Sequence, residues 1–432
     1  MIKFLHTADL HLGKTFYDLS LIEDQGYVLD QIAALLLDPS YRALVIAGDV
    51  YDRSVPSPEA VRLFGAFLAG LKAQNPRLEI FVIPGNHDSS VRLGFGRELF
   101  GELGIHFAAD PEDSFEPVIL EDAGGGCAFF LLPFLNPGSL IGGGEGSGEP
   151  GILRSQAQLA AEAARRLELS RRRWAARGLS HAVLAAHLFA GGGIESESER
   201  IFLGGAEKVD MGLFAAFDYV ALGHLHRRQR AGRNGWYAGS PLAYSFDEGG
   251  LEKAVLSVEI PNGGDPRVEP IPLKALHPVR RLSGPFERFN RPSPQDGELQ
   301  EAGEDYLEFN LRDSSLTENA LPLLQLRYPR LLSVRQEEAR RGLQNAYALP
   351  AASGERRDAA ADFAEFLTSL YGQSDEGKVK LFRELLAQVE AKDREAPAYS
   401  PEESVYSPEE PGESGGSSKG SKEYEESEGG AR

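Results

Sequence analysis

Aspartate, asparagine and histidine recur in five short motifs along the chain. They are Asp9-Leu10-His11, Gly48-Asp49-Val50-Tyr51-Asp52-Arg53, Gly85-Asn86-His87-Asp88, a lone His187, and Gly223-His224-Leu225-His226. Carboxylate and imidazole donors in this mixture suit two divalent metals bridged by a shared carboxylate. In Gly-Asn-His-Asp, glycine permits a backbone turn closed to other residues, and the polar side chains then project in defined directions. In Gly-His-x-His the imidazoles sit at i and i+2, so an extended strand end can aim both at one cavity. Taken singly, Asp-x-His says little, and His187 also reads as a satisfied structural histidine. Five such motifs in order carry the reading.

Each motif follows a short apolar run, at 2–5, 43–47, 80–83, 182–186 and 219–222. Such runs read as buried strands of an α/β sheet. Functional residues of these sheets collect at the carboxyl ends of the strands, so distant motifs would meet at one rim. Helices are expected over 23–37, 57–73 and 155–177, the second with Ser57 as N-cap and Pro58 in its first position. Antiparallel strand signals follow at 235–238, 254–260 and 268–272. The glycine-rich stretch 137–151 reads as a flexible surface loop.

Four segments emerge: a catalytic domain over 1–265, a small unit over 273–349, a helical segment over 355–395, and a tail over 396–432. The small unit shows strands at 306–311 and 331–334 around a helix at 318–328. The helical segment holds two amphipathic stretches, 359–371 and 376–392. Phe363, Phe366, Leu367 and Leu370 line one; Val379, Phe382, Leu385 and Leu386 line the other. A pair so small cannot bury both stripes, so it docks on a partner or folds back on its own chain. The tail is Glu, Ser, Gly and Pro and is expected to be disordered.

The 432 residues carry a net charge of −20, which excludes a broadly basic nucleic-acid-binding face. Two local basic clusters stand out: Arg165-Arg166 with Arg171-Arg172-Arg173, which reads as a solvated helix face, and Arg227-Arg228 with Arg230 and Arg233 beside the last motif. Cys127 is the single cysteine, so no internal disulfide is possible; it reads as a core residue in a reducing compartment. No run approaches the ~18 apolar residues of a membrane span, and the N-terminus enters a strand at once. A soluble cytoplasmic protein is expected.

The motif set resembles the calcineurin-like metallophosphoesterase superfamily. Within it, Met1-Ile2-Lys3-Phe4-Leu5-His6-Thr7-Ala8-Asp9-Leu10-His11-Leu12-Gly13 resembles the start of the SbcD family, the nuclease subunits of bacterial SbcC–SbcD DNA-repair complexes. Ala186-His187-Leu188-Phe189 through Glu197-Ser198-Glu199-Arg200, Gly239-Ser240-Pro241-Leu242-Ala243-Tyr244-Ser245-Phe246, and Asp305-Tyr306-Leu307 with Tyr328-Pro329 are similar to that family too.

The resemblance implies an αββα sandwich of two mixed sheets, a small α+β capping domain over the site, and a C-terminal helical pair. It implies one metal held by Asp9, His11, Asp49 and His226, and a second held by Asp49, Asn86, His187 and His224, most simply Mn²⁺ at both. Such a pair binds the scissile phosphate, activates water and steadies the leaving oxygen. His87 would be the proton donor to that oxygen. Asp52 would orient His87, or serve only as a loop cap. The implied activity is double-strand exonuclease and hairpin or single-strand endonuclease, within an assembly containing an SbcC-type ATPase with its coiled coil. The partners would be that ATPase at the helical pair, DNA ends and hairpins, and a second copy within a heterotetramer. Two other readings stay open: a metallophosphatase or phosphodiesterase acting on small or protein phosphoesters, and a scaffold that has lost activity.

Overall fold

The computed structural model describes residues 1–122, 125–142, 151–191, 193–194, 196, 208–339 and 358–395. The expected tail at 396–432, the stretch 197–200 and most of the glycine-rich stretch lie outside them. The two described ends of that last stretch, Ile141–Gly142 and Gly151–Ile152, pair as an antiparallel ladder where a structureless loop was expected.

Two six-stranded sheets form the centre. The first runs in the order Arg267–Pro272, Ala254–Ile260, Ile2–Thr7, Tyr41–Ala47, Glu79–Ile83, Ile105–Phe107. Its last four strands are parallel, and the two at the other edge are antiparallel. The second runs Gln229–Ala231, Gly235–Tyr237, Tyr219–Gly223, His181–His187, Cys127–Leu132, Val118–Leu120. Gly235–Tyr237 was expected among antiparallel strands; it lies parallel to Tyr219–Gly223 and antiparallel only to its hairpin partner Gln229–Ala231. A three-residue strand has too little pattern to fix its direction.

Alternation along each strand sorts the core into layers. Phe4, Val45, Phe81, Phe129, Val183 and Ala221 pack between the sheets. Leu5, Leu44, Ile80 and Val82 face helices Ile22–Leu35 and Pro58–Gln74 through Ile32, Phe64 and Leu68. Phe130, Leu184 and Leu222 face helix Gln156–Ala175 through Leu159 and Leu167. This is an αββα sandwich of two mixed sheets. The Ser57 side chain caps Pro58–Gln74 by accepting the Ala60 N–H. Cys127 is buried in the central layer.

Strands Val279–Gly284, Tyr306–Leu311 and Leu331–Arg335 form a separate, all-parallel sheet. One face packs on helices Phe286–Asn290 and Ala320–Gln325 through Leu307, Phe309 and Leu324. That second helix is shorter than expected. The other face sends Val279, Tyr306 and Leu332 against Phe16, Tyr244 and Phe246 of the sandwich. The Tyr306 hydroxyl donates to the buried Asp24 carboxylate at 2.9 Å. The described residues 358–368 and 373–395 belong to a second compact unit, in which the rings of Phe363 and Phe382 stack 4.3 Å apart.

Phe129 touches Phe4 and Phe81 and is almost fully buried. Phe129→Ala is expected to cost about 3–5 kcal/mol of unfolding free energy, read from urea denaturation followed by circular dichroism.

Candidate metal centre

The parallel strands of both sheets end at one rim, where the motif loops are locked together by backbone hydrogen bonds. Asp9 N–H donates to Gly48 O, His11 N–H to Asp49 O, and Leu12 N–H to Val50 O, at 2.9–3.0 Å. This ladder continues two adjacent strands past their ends in an unusual backbone shape. Asp9, His11 and Asp49 have φ of 54°, 44° and 49°, and His224 has φ of 108°. Non-glycine residues seldom adopt such angles, and four of them in one cluster mark a functional site.

The two sheets touch here. His187 donates from Nδ1 to the Ala47 carbonyl at 2.9 Å, and the His224 backbone N–H donates to Asp9 Oδ1 at 2.9 Å. Gly223 allows the approach: a Cβ there would stand 1.8 Å from the Ala47 oxygen. Gly85 acts the same way, since its Cβ would stand 2.1 Å from Asp49 Oδ1. The sequence suggested a turn closed to other residues at Gly85; its φ is not positive, and close packing is the reason glycine is needed.

All seven expected ligands come together. Asn86 Oδ1 lies 3.0 Å from both His187 Nε2 and His224 Nδ1. His11 Nε2 and His226 Nε2 face each other at 3.1 Å. Asp49 Oδ2 stands between the two groups, 3.7 Å from His11 Nε2 and 3.5 Å from His187 Nε2. Its other oxygen accepts the His87 backbone N–H at 2.9 Å. The carboxylates of Asp9 and Asp49 and the His187 ring offer donor atoms within 4.8 Å of one another.

His87 lies beside this cluster, its ring 4.7 Å from that of His11. Its Nδ1 is 2.9 Å from the Asp52 backbone carbonyl, to which it donates. Asp52 therefore meets His87 through its main chain. Its carboxylate instead accepts Lys14 Nζ at 2.7 Å and stands 3.5 Å from His11 Nδ1.

A family model described as calcineurin-like phosphoesterase matches residues 2–228. The chain belongs to that family. Three solved structures are also similar. TT1561 of Thermus thermophilus is 15% identical, with TM-score 0.33, covering 59% of this chain and 93% of its own. A dimetal phosphatase from Danio rerio is 13% identical, with TM-score 0.38 and coverage of 62% and 98%. The calcineurin-like phosphoesterase YfkN from Bacillus subtilis is 14% identical, with TM-score 0.36 and coverage of 63% and 90%. The phosphoesterase is thus a metal-dependent hydrolase of phosphoesters by family.

The donor set fits two divalent ions. Ligands about 2.0–2.2 Å from one ion stand roughly 3.0–3.5 Å from each other, and these nitrogens and oxygens lie 3.0–3.7 Å apart. With ring protons on Nδ1, turned toward Asp52 and Glu248, the His11 and His226 lone pairs point at one another. That is repulsive unless a cation lies between them. Burial pushes His11 down to about 4 and His224 to about 3, so both are neutral at pH 7, the form that ligates. Burial alone would push Asp49 up, but His187, His11 and His87 hold it well below the usual carboxylate range. When bound, the ions supply charge for the phosphate and an activated water.

The sequence reading did not single out several residues that hold this centre. Asp88 accepts backbone N–H groups from Val50, Tyr51 and Gly85 at 2.9–3.0 Å, tying two motif loops together. Gln25, buried on its helix, donates to His11 O at 2.7 Å and accepts from Gly13 N–H at 2.9 Å. The Tyr244 ring packs on those of His11 and His226, and its hydroxyl donates to Leu10 O. Glu248 is fully buried behind His226. Asp88 lies inside a motif and Tyr244 inside the family-like stretch 239–246; Gln25 and Glu248 had no local signal.

Gly85→Ala should keep the fold by circular dichroism and lower phosphoester turnover on the order of 100-fold, because the Asp49 carboxylate must move. Metal-stripped protein should lose thermal stability as the pH falls from 6.5 toward about 3. His6, His11 and His224 have folded values near 3, 4 and 3, so only the unfolded chain takes up these protons in that window.

Proposed function

We propose that this phosphoesterase is a Mn²⁺-dependent DNA nuclease and the catalytic subunit of an SbcC–SbcD-type, ATP-dependent complex in DNA repair and recombination. It would trim duplex ends and open hairpins. The supporting observation is the small parallel-sheet unit. It packs through Val279, Tyr306 and Leu332 on the wall formed by Phe16, Tyr244 and Phe246, and that same Tyr244 touches two metal-binding histidines. An accessory unit beside the metal centre suits a bulky substrate whose access must be controlled; a small phosphoester has no use for it. His87, set by the Asp52 carbonyl, is the proton donor to the leaving oxygen in this reading.

Charge placement agrees with a guided backbone. Arg165, Arg166, Arg171, Arg172 and Arg173 are engaged by Glu162, Glu168, Glu112 and Glu116. Arg227, directly after His226, forms no ion pair among the described residues, which leaves it available to a phosphate.

Two apolar surfaces suit the proposed protein partners. Val91, Phe95 and Leu99, four residues apart just after Asp88, are 86%, 83% and 72% exposed and would meet a second copy. Leu381 and Leu385 of the helical unit are 56% and 51% exposed and would meet the ATPase coiled coil. Among the described residues no helix is long and apolar enough to cross a membrane, and we place the assembly in the cytoplasm.

Purified chain with Mn²⁺ should cleave an end-labelled DNA hairpin and an aryl phosphodiester, and Asp49→Ala should abolish both. Preference for an aryl phosphomonoester, with DNA untouched even when the ATPase and ATP are supplied, would favour the phosphatase reading. Phe95→Glu should halve the mass measured by light scattering. Leu381→Asp with Leu385→Asp should abolish co-purification with the ATPase and leave diester cleavage unchanged.

A further inference from the structure

We infer that Glu248 and Lys253 are positioning residues for the metal centre: they grip His226 by its ring and by its backbone, and so fix the direction of its ligating nitrogen. The inference rests on the two-metal reading of the site.

Glu248 Oε1 lies 3.4 Å from His226 Nδ1. Its Oε2 accepts Lys253 Nζ at 2.6 Å. Lys253 Nζ also donates to the His226 carbonyl at 3.0 Å and to Ser240 Oγ at 2.9 Å. Ser245 Oγ lies 2.6 Å from Asp247 Oδ1 and 2.8 Å from Glu248 Oε1, its one hydrogen serving either carboxylate, and Ser240 Oγ–H donates to the Leu242 carbonyl at 2.7 Å. The carboxylate is fully buried and the ammonium nearly so. A buried ion pair is weak evidence for a stabilising role, because desolvation offsets the attraction. This pair has a geometric feature that stability would not require: both partners contact the same residue, one at its ring and one at its carbonyl.

The consequence is chemical. A carboxylate behind Nδ1 holds the ring proton there, leaves the Nε2 lone pair facing His11 Nε2, and makes the imidazole a stronger donor. His187 is held differently, by the neutral Ala47 carbonyl. Loss of the carboxylate should therefore weaken the ion held with Asp9 and His11, and spare the one held with Asn86, His187 and His224.

The test is Mn²⁺ titration calorimetry on the full chain, with Co²⁺ absorption as a spectroscopic signature. Glu248→Gln/Lys253→Met removes both charges, so that no buried lysine is left unpaired. Glu248→Asp keeps the charge for Lys253 and withdraws it from the ring. Wild type should bind two ions. Each variant that keeps the wild-type far-ultraviolet circular dichroism should bind one ion normally and the other about 10–100-fold more weakly, with an altered Co²⁺ spectrum. Wild-type affinity at both sites in either folded variant overturns the inference. Failure of the wild type itself to bind two ions would instead reject the two-metal reading on which it rests.

Discussion

The Asp49 carboxylate has to be in two places at once, and most of the rim is arranged to allow it. One oxygen accepts the His87 backbone N–H, and the other lies between His11 and His187, which come from different sheets. A carboxylate that faces two histidines from different sheets tolerates little displacement, because its distances to both change together. Gly85 yields space beside it, and a left-handed backbone at Asp49 aims it. The Asp9–Leu12 segment hydrogen-bonds to the loop that carries it.

That backbone is held in a costly conformation. Left-handed φ at Asp9, His11, Asp49 and His224 costs on the order of 1 kcal/mol or more at each residue. The surrounding hydrogen bonds over-determine it. Asp88 takes three backbone N–H groups, Gln25 takes a carbonyl and an amide, and Tyr244 closes on Leu10. Strain at these donors and rigidity behind them go together: electron-rich groups converge here, and the hydrogen bonds around them hold them close. The small parallel sheet extends this support, because its Tyr306 and Leu332 pack on the segment that carries Tyr244.

Much of this was written locally. Each motif sits at or just after the end of a strand, so a short apolar run followed by Asp, Asn or His marks both the strand and its rim end. The five runs are strands, and the Ser57-Pro58 helix start stands where the sequence put it. These signals survive because they depend on neighbours in the chain: periodicity, caps and turn chemistry.

What lies across the chain was not legible. Glu248 is one acidic residue among many until the fold buries it behind His226, 22 residues away. Gly85 looks like a turn residue until Asp49 is brought against it. Asp52 looks like a carboxylate partner for His87, yet its carbonyl takes the ring and its side chain turns to Lys14. The direction of Gly235–Tyr237 depends on which strand it meets. The sequence by itself determined which atoms are available for metal chemistry and at which strand ends they emerge. Only the packing of two sheets decided their distances, because separations of 3–4 Å between residues some 40 to 215 positions apart are set by contacts no local pattern encodes.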